Sequence, residues 1–311
     1  MTAASAPRHC QIRDVVVRSL REGEPSGRVR ARRPRSDTRT CSRQPAIRSE
    51  RRIAGKPARH LSDVVNTLLM PQNRFVSPVA STYDGDSPEM FDPELLAATA
   101  DFLAVEARGG RALEFGIGTG RVALPLSQRG VPVHGIDISV DMLDQLRRKP
   151  GAGAIATTVG DFAQTMVDGS FSLVYVVFNS IANLQEQSEW VQTFCNAARH
   201  LEPGGRFLVE LWTPDLRRFP PGAAAVPFDL SPHHLGFDTL DVANQRCVSH
   251  HYFFRDGRTE RIDFPGRYAW PAELDLMAQI AGMTSVGRWA DWDRSPFTSD
   301  SRKHISVWAR T

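Results

Sequence analysis

The sequence has few cysteines and no long apolar run. Its four cysteines (Cys10, Cys41, Cys195 and Cys247) are scattered, form no C-x-x-C pair and have no histidine beside them at metal-ligand spacing. We therefore expect free thiols in a reducing compartment and no bound metal. No apolar segment approaches 18 residues and no signal-peptide core is present. These absences predict a soluble, cytoplasmic protein without a membrane partner.

The first 60 of the 311 residues lack aromatic side chains and are unusually basic. They carry 16 basic and 5 acidic residues, a net charge of +11, which leaves the rest of the chain at −8. Such a segment buries too little apolar surface to offset the entropy of ordering it, so residues 1–60 are predicted to be a disordered Arg-rich extension. An arm that binds nucleic acid or an anionic surface, and a transit peptide, are the alternatives. Residues 61–69 show a helical pattern, so we expect the ordered part of the chain to begin there. We expect one domain over residues 61–311.

The segment LEFGIGTGR, residues 113–121, is the strongest local signal in the ordered part. It predicts a buried strand that ends in a turn with three glycines at alternate positions: Gly116, Gly118 and Gly120. Glycine permits positive φ and close approach of a ligand to the backbone. A helix that starts just after the turn presents free N–H groups to that ligand. The pattern is typical of nucleotide-binding sites.

Two neighbours of the glycines separate the possible ligands. A dinucleotide fingerprint requires a further small residue where this chain has Arg121, which argues against a nicotinamide oxidoreductase. The acidic Glu114, two positions before the first glycine, suits a ligand that carries an ammonium group. This segment resembles the first motif of class I S-adenosylmethionine-dependent methyltransferases of the small-molecule type. The resemblance implies that Glu114 and the glycines hold the methionine part of the cofactor, and that Arg121 is also a cofactor-binding residue.

Further segments match the same family in order. Asp137 ends the second predicted strand (131–139), about 20 residues after the glycines, where an acidic side chain can accept hydrogen bonds from ribose hydroxyls. Ser139 is the predicted N-cap of the next helix, and Asp92, followed by a proline, is the predicted N-cap of the helix before the first strand. The resemblance places Met142 on the adenine, gives Asp161 the adenine amino group and includes Ile138 among the cofactor-binding residues. It adds Phe162 beside that ring and Tyr83, of a Tyr-Asp pair before the first strand, as a cover over the cofactor.

The apolar run FSLVYVVF, residues 171–178, predicts a central parallel strand buried on both faces. Ligands bind at the carboxyl ends of such strands, so Asn179 is expected to face the reacting centre and the cofactor. Enzymes that methylate nucleobase amino groups carry an Asn/Asp-Pro-Pro-Tyr motif here. This chain lacks it, which argues against that activity.

The order of elements predicts an α/β fold. Five strand–helix units give a Rossmann-like, seven-stranded, mostly parallel sheet with helices on both faces, and the last strand is expected to be antiparallel. Residues 212–268 interrupt the pattern with alternating segments at 237–242, 247–254 and 259–264, which predict an antiparallel β lid over the substrate site. The final helix begins at Pro271, and its predicted inner face contains Leu274, Met277, Ile280 and Ala281.

No motif identifies a catalytic residue. Methyl transfer from a sulfonium depends on positioning, and a base is required only where the nucleophile must lose a proton. The weak candidates for that base are two pairs in the insertion: His233, His234, His250 and His251. Alternation along a strand places only one member of the second pair on the inner face.

The leading hypothesis is a methyltransferase that uses S-adenosylmethionine and acts on an O, N or C nucleophile of a small molecule. The alternatives are an RNA methyltransferase that uses the basic arm, a non-catalytic S-adenosylmethionine-binding protein and a nicotinamide oxidoreductase. We expect a small-molecule partner rather than nucleic acid, and a monomer or homodimer.

Overall fold

A computed structural model describes residues 73–77, 79–86, 88–255 and 257–311. The extension predicted for residues 1–60, the helical pattern at 61–69 and Asp256 lie outside them, and the predicted domain boundaries stay a prediction. No helix in the described part is both long and apolar enough to cross a membrane. The described helices are α1 (Val79–Asp86), α2 (Pro93–Ala107), α3 (Ala123–Gln128), α4 (Val140–Arg147), α5 (Gln187–His200) and α6 (Pro271–Ile280).

The described strands form two sheets. The larger sheet contains β1 (Ala112–Phe115), β2 (Val133–Asp137), β3 (Ala156–Val159), β4 (Phe171–Val176), β5 (Leu201–Trp212), β10 (Met283–Trp289) and β11 (Lys303–Arg310). The smaller sheet contains β6 (Ala225–Leu230), β7 (His234–Asp241), β8 (Arg246–Arg255) and β9 (Arg258–Arg267). The larger sheet has the order β10-β11-β5-β4-β1-β2-β3. Strand β11 runs antiparallel to both of its neighbours, and the other pairs are parallel. The predicted seven-stranded, mostly parallel sheet is confirmed.

Strand β4 lies at the centre of this sheet and is buried along its whole length. Its alternate side chains enter two separate cores, because successive residues of a strand point to opposite faces. Leu173 and Tyr175 pack with α2, α3 and α4, whereas Val174 and Val176 pack with α5 and α6. Helices therefore cover both faces of the sheet, as the continuous apolar run predicted.

Two helix starts follow their predicted capping residues. Oδ1 of Asp92 accepts hydrogen bonds from the backbone N–H groups of Glu94 and Leu95, at 3.0 and 2.9 Å, and α2 begins at the next residue, a proline. Oγ of Ser139 accepts from the N–H of Met142 at 3.2 Å and caps α4. These bonds satisfy N–H groups that have no partner within the helix. The second cap fixes α4 directly behind the end of β2.

The insertion forms an antiparallel sheet of its own, in the order β6-β7-β8-β9. Its last three strands match the predicted segments, but β6 was not predicted because Pro227 weakens the strand pattern. Strand β9 crosses close to the turn Ser180–Asn183 that follows β4. A Cβ on Gly266 would lie only 2.6 Å from the carbonyl oxygen of Ala182, so a residue without a side chain is required at this crossing.

One prediction for α6 is wrong. Leu274, Met277 and Ala278 are buried, but Ile280 is 66% exposed. Ile280 is six residues after Leu274, which rotates it by about 240° around the helix and away from the core. The inner face of α6 is therefore narrower than the apolar content of the sequence suggested.

Candidate functional site

The glycine turn lies at the carboxyl end of β1, beside the ends of β2 and β4. Gly116 and Gly118 have φ angles of 72° and 55°, a region that other residues rarely occupy. The N–H of Gly118 donates to Oδ2 of Asp137 at 2.7 Å. Gly120 also has positive φ, but it does not line a cavity, and a Cβ there would lie 2.3 Å from Leu146 Cδ1. Two of the three glycines therefore face a ligand-sized space, and the third allows close packing against α4.

Asp137 joins the glycine turn to the start of α4. While Oδ2 accepts from Gly118, Oδ1 accepts from the N–H of Ser139 at 2.8 Å. The carboxylate is only 7% exposed, and burial raises its pKa while the two backbone donors lower it. Ile138 and Met142 lie next to it and line the same cavity. This pair of backbone bonds leaves lone pairs on both oxygens for a further donor.

Glu114 is buried behind the turn. Its Oε2 accepts a hydrogen bond from the Tyr175 hydroxyl at 2.9 Å, and burial raises the pKa of the carboxyl group to about 8, although Tyr175 and Arg121 lower it. Glu114 and Arg121 line a small recess together with Tyr83, Gly116 and Gly118. The guanidinium of Arg121 lies 5.1 Å from the ring centre of Phe178. A cation in this recess would favour the ionised form of Glu114.

Asp161 and Phe162 follow β3. Oδ1 of Asp161 accepts from the N–H of Ala163 at 2.9 Å, which shapes the turn, and Oδ2 accepts from the Gln164 side chain at 3.3 Å. Phe162 stacks on Phe115 with the ring centres 5.7 Å apart. Both predicted residues line the same cavity as Asp137 and Met142.

The segment before the first strand covers one side of this cavity. Tyr83 lines it, and the next residue, Asp84, accepts from the Thr119 hydroxyl at 2.7 Å and pairs with Lys149 at 2.5 Å. These contacts hold α1 over the glycine turn. Phe75, for which the sequence carries no motif, has its carbonyl oxygen bonded to the Ser139 hydroxyl. Local sequence gave no sign that Phe75 belongs to the site.

We call the space enclosed by these residues the loop cavity. Its volume is about 580 Å³. The predicted residues that line it are Tyr83, Gly116, Gly118, Asp137, Ile138, Met142, Asp161 and Phe162. Glu114 and Arg121 line the adjoining recess, Gly120 lines neither, and Asn179 lines the next cavity instead.

The end of β4 has an unusual backbone. Phe178 and Asn179 both adopt left-handed conformations, with φ of 51° and 61°, which are uncommon for residues other than glycine. Glu210 accepts from the N–H of Phe178 at 2.9 Å, and Oδ1 of Asn179 accepts from the N–H of Trp212 at 2.7 Å. These bonds fix the turn against β5. The side-chain oxygen of Asn179 is thus hydrogen-bonded to the backbone of β5.

A second and larger space, the insertion cavity, lies between this turn and the inner face of the insertion. Its volume is about 840 Å³. Alternate residues of β7, β8 and β9 line it, and strand register places them on one face: His234, Asp238, Cys247, Ser249, His251, Phe253, Glu260, Ile262, Phe264 and Gly266. The loop cavity and the insertion cavity share five lining residues: Phe75, Tyr83, Ser180, Asn183 and Pro265.

The four candidate histidines divide between the two faces of the insertion. His234 and His251 line the insertion cavity. His250 faces the other way, where its Nδ1 lies 2.9 Å from Asp263 and its Nε2 lies 3.0 Å from the Thr239 hydroxyl. His233 is exposed and lines no cavity. The described residues contain no group of three or more His, Cys, Asp or Glu side chains that could hold a metal ion.

Charged residues of one sign dominate the insertion cavity. Its charged lining comprises five carboxylates and one guanidinium: Asp86, Glu89, Asp229, Asp238, Glu260 and Arg255. The guanidinium is already paired with Asp86. Burial lowers the pKa of His251 to about 4, so this histidine contributes no positive charge near neutral pH. The cavity is therefore complementary to a cationic ligand.

Known proteins are similar to this chain in sequence and fold. A family described as "Methyltransferase domain" matches residues 112–205. The cypemycin N-terminal methyltransferase of a Streptomyces species is 29% identical over 242 residues, which cover 74% of this chain and 98% of that protein. The dTDP-3-amino-3,4,6-trideoxy-alpha-D-glucopyranose N,N-dimethyltransferase of Streptomyces venezuelae is 27% identical over 42% of this chain and 59% of that enzyme.

A solved structure extends the likeness beyond the residues that the family matches. The CcbJ methyltransferase of Streptomyces caelestis is 35% identical, with a TM-score of 0.65, and the match covers 70% of this chain and 91% of that one. The identity, the coverage and the shared sheet all lead to one assignment. The chain belongs to the class I S-adenosylmethionine-dependent methyltransferases.

Proposed function

We propose that the protein is an N-methyltransferase, which transfers the methyl group of S-adenosylmethionine to an amine of a small molecule. The observation that carries this proposal is the charge of the insertion cavity, where five carboxylates face one guanidinium. Amines are cations near neutral pH, and a cavity lined by one sign of charge concentrates the opposite sign. Hydroxyl and carbon nucleophiles gain nothing from such a lining.

The relatives support a nitrogen acceptor. One is named for methylation at the N-terminus of cypemycin, and another for N,N-dimethylation of an amino sugar. A volume of about 840 Å³ lies within the range of cavities that enclose small molecules. A small amine, or the terminal residues of a short peptide, therefore fits the proposal.

We assign the cofactor to the loop cavity and its recess. Glu114, buried and paired only with a neutral phenol, would take the ammonium of the methionine part. Asp137 would take the ribose hydroxyls with its remaining lone pairs, and Ile138, Met142 and Phe162 would cover the adenine. The space also fits the cofactor. Gly116 keeps it open, because a Cβ at this position would lie 3.1 Å from Ser180 and narrow it.

When bound, S-adenosylmethionine would supply an activated methyl group: transfer to the nitrogen lone pair would form the N–C bond and leave the electron pair of the broken S–C bond on sulfur. An acceptor that arrives as an ammonium must first lose a proton, since it has no free lone pair. The carboxylates of the insertion cavity are hydrogen-bond acceptors that can take that proton. Phe178 and Asn179, held by β5, line the insertion cavity, and Phe178 also lines the recess beside Glu114. Exclusion of water and alignment supply the rest of the acceleration.

The acidic lining opposes the RNA alternative. Phosphate groups would enter a cavity of like charge, and the basic arm that this alternative needs lies outside the described residues. We further propose a cytoplasmic location, which the two described free thiols, Cys195 and Cys247, support. A monomer or homodimer stays a prediction.

Matched acceptors test the proposal. The full chain would be assayed for S-adenosylhomocysteine release with three pairs: 2-phenylethylamine and 2-phenylethanol, glucosamine and glucose, and an alanyl peptide with a free or acetylated N-terminus. We expect turnover with at least one amine and none with its partner. Transfer to a hydroxyl partner at an equal or higher rate, or to no amine at all, would overturn the assignment to nitrogen.

A further inference from the structure

We propose that Asp238 and His251 together form the binding site for the ammonium group of the acceptor. This inference rests on the proposed amine specificity and adds the side chains that provide it. Both residues lie on the inner face of the insertion, on the neighbouring strands β7 and β8, and both line the insertion cavity.

Strand register brings the two side chains together. Asp238 is directly opposite Ser249, and His251 is two residues further along β8 on the same face. Such diagonal neighbours have Cα atoms about 7–8 Å apart, which leaves room for one small cation between their side chains. Two residues further toward the large sheet, Cys247 of β8 lies opposite Gly266 of β9 on the same inner face, and Gly266 is in close contact with Ala182. The Asp238 end of the face is thus the one nearer to the end of β4.

Asp238 is a carboxylate without a cation. Its Oδ1 accepts a hydrogen bond from the Ser249 hydroxyl at 2.6 Å, and among the described residues it forms no ion pair. Burial raises its pKa, while Ser249, Arg218 and His250 lower it. A cation that binds beside such a partly buried, unpaired carboxylate stabilises its ionised form. An ammonium group is such a cation, and one of its N–H groups can donate to the oxygen of Asp238 that Ser249 leaves free.

A hydrogen-bond chain sets the orientation of His251. Oδ2 of Asp229 lies 2.7 Å from Nδ1 of His234, and Nε2 of His234 lies 3.0 Å from Nδ1 of His251. The hydrogen bond from His234 lowers the pKa of Asp229, so the carboxylate is ionised and only accepts. If the His234 ring is neutral, its Nδ1 carries the proton that Asp229 accepts, and Nδ1 of His251 must then donate to Nε2 of His234. Nε2 of His251 is left with a lone pair.

That nitrogen is available to a ligand. Nε2 of His251 has no hydrogen-bond partner among the described residues. Desolvation and the positive charge that His234 and His250 can carry lower the pKa of His251 to about 4, against the opposing effect of Asp229 and Asp263. The ring therefore stays neutral near pH 7 and does not repel a cation. Asp229 and His234 are positioning residues in this scheme.

Two aromatic rings complete the site. The ring centres of Phe228 and Phe264 each lie 5.3 Å from that of His251. Aromatic faces attract ammonium groups, and they also accommodate the methyl group that the reaction adds to nitrogen. The site therefore suits the amine before and after methyl transfer.

The first test compares two aspartates on opposite faces of the insertion. Asp238→Asn removes the inner charge, whereas Asp263→Asn removes a charge from the face that carries His250. In the full chain we expect Asp238→Asn to raise KM for the best amine of the acceptor panel by about 10–100-fold. Asp263→Asn should change it less than threefold. S-adenosylhomocysteine affinity should be unchanged in both variants.

The second test uses adjacent histidines. His251→Gln should raise KM for the amine about 10-fold, and His250→Gln, on the outer face, should not. Asp229→Leu removes the acceptor for Nδ1 of His234 and should change the tautomer of His251, which 15N chemical shifts of the imidazole nitrogens report directly. Calorimetry with 2-phenylethylamine and S-adenosylhomocysteine would measure binding in each variant without turnover.

The outcomes distinguish the two proposals. If wild-type protein methylates no amine, the proposed function fails. If wild-type protein methylates an amine but Asp238→Asn and Asp263→Asn share the same KM and the same affinity for 2-phenylethylamine, the ammonium site fails while the function stands. An unchanged His251 tautomer in Asp229→Leu would overturn the positioning role of the hydrogen-bond chain.

Discussion

The hydroxyl of Tyr175 donates a hydrogen bond to Oε2 of Glu114, with 2.9 Å between the two oxygens, across the neighbouring strands β4 and β1. Both residues are buried, and burial raises the pKa of Glu114 to about 8. A carboxyl group whose pKa is higher in the folded state than in the unfolded state binds more protons when folded. Its contribution to stability therefore falls as pH rises from about 4.5 to about 8.

The first prediction is that affinity for S-adenosylhomocysteine rises between pH 5 and pH 7. The ammonium of the ligand prefers the ionised form of Glu114, whose population grows over that window. Tyr175→Phe removes a donor that favours ionisation, so at pH 7 we expect it to weaken binding. Calorimetry at several pH values measures both effects. Tyr268→Phe is the control, because the Tyr268 hydroxyl is buried without a partner. A pH-independent affinity would contradict the assignment of Glu114.

The second prediction concerns Asp137, whose two oxygens accept from Gly118 and Ser139. Asp137→Ala removes both bonds and the proposed ribose contact, and should weaken S-adenosylhomocysteine binding by about 1–3 kcal/mol. Asp144→Ala is the control, since this aspartate lies on the exposed side of α4 in an ion pair with Arg147. Binding within twofold of wild type would place the ribose elsewhere.

A third prediction separates backbone strain from ligand binding. Gly118 and Gly130 both have positive φ, at 55° and 82°, but only Gly118 lines the loop cavity. Alanine at either position should lower stability by about 1–2 kcal/mol. Only Gly118→Ala should also weaken S-adenosylhomocysteine binding, as measured by the ligand-induced shift of the melting temperature. Equal shifts in the two variants would remove Gly118 from the binding site.

The fourth prediction concerns stability in acid. His304 is fully buried, and burial lowers its pKa to about 3, from an ordinary value of 6.5. The unfolded chain therefore binds the extra proton first, so this group reduces stability as pH falls from 6.5 toward 3. His304→Asn should flatten that dependence, which urea unfolding at pH 5, 6 and 7 would measure. An unchanged slope would show that other groups control the acid limb.

The parallel part of the fold was predictable because its signals are local. An eight-residue apolar run identified the central strand, and Asp92 and Ser139 identified two helix starts through single capping bonds. Spacing along the chain also placed Asp137 beside the glycine turn. In each case the physical cause lies within a few residues of the pattern that reveals it.

The insertion was less predictable because its site depends on pairing between strands. Alternation predicted that only one of His250 and His251 faces inward, and the structure confirms it. Alternation does not reveal that Asp238 lies diagonal to His251, since the register between β7 and β8 is a tertiary property. The same holds for Phe75, which reaches the site through a backbone bond to Ser139.

Phe75 also gives the two cavities a common wall. Its ring contacts Tyr83 on one side and Phe264 of the insertion on the other, with ring centres 6.0 Å apart in both cases. Any displacement of this ring when one ligand enters changes the free energy of binding for the other, and thermodynamic reciprocity requires the two effects to be equal. We therefore expect substitutions at Phe75 to change the cooperativity between the two ligands more than either affinity alone.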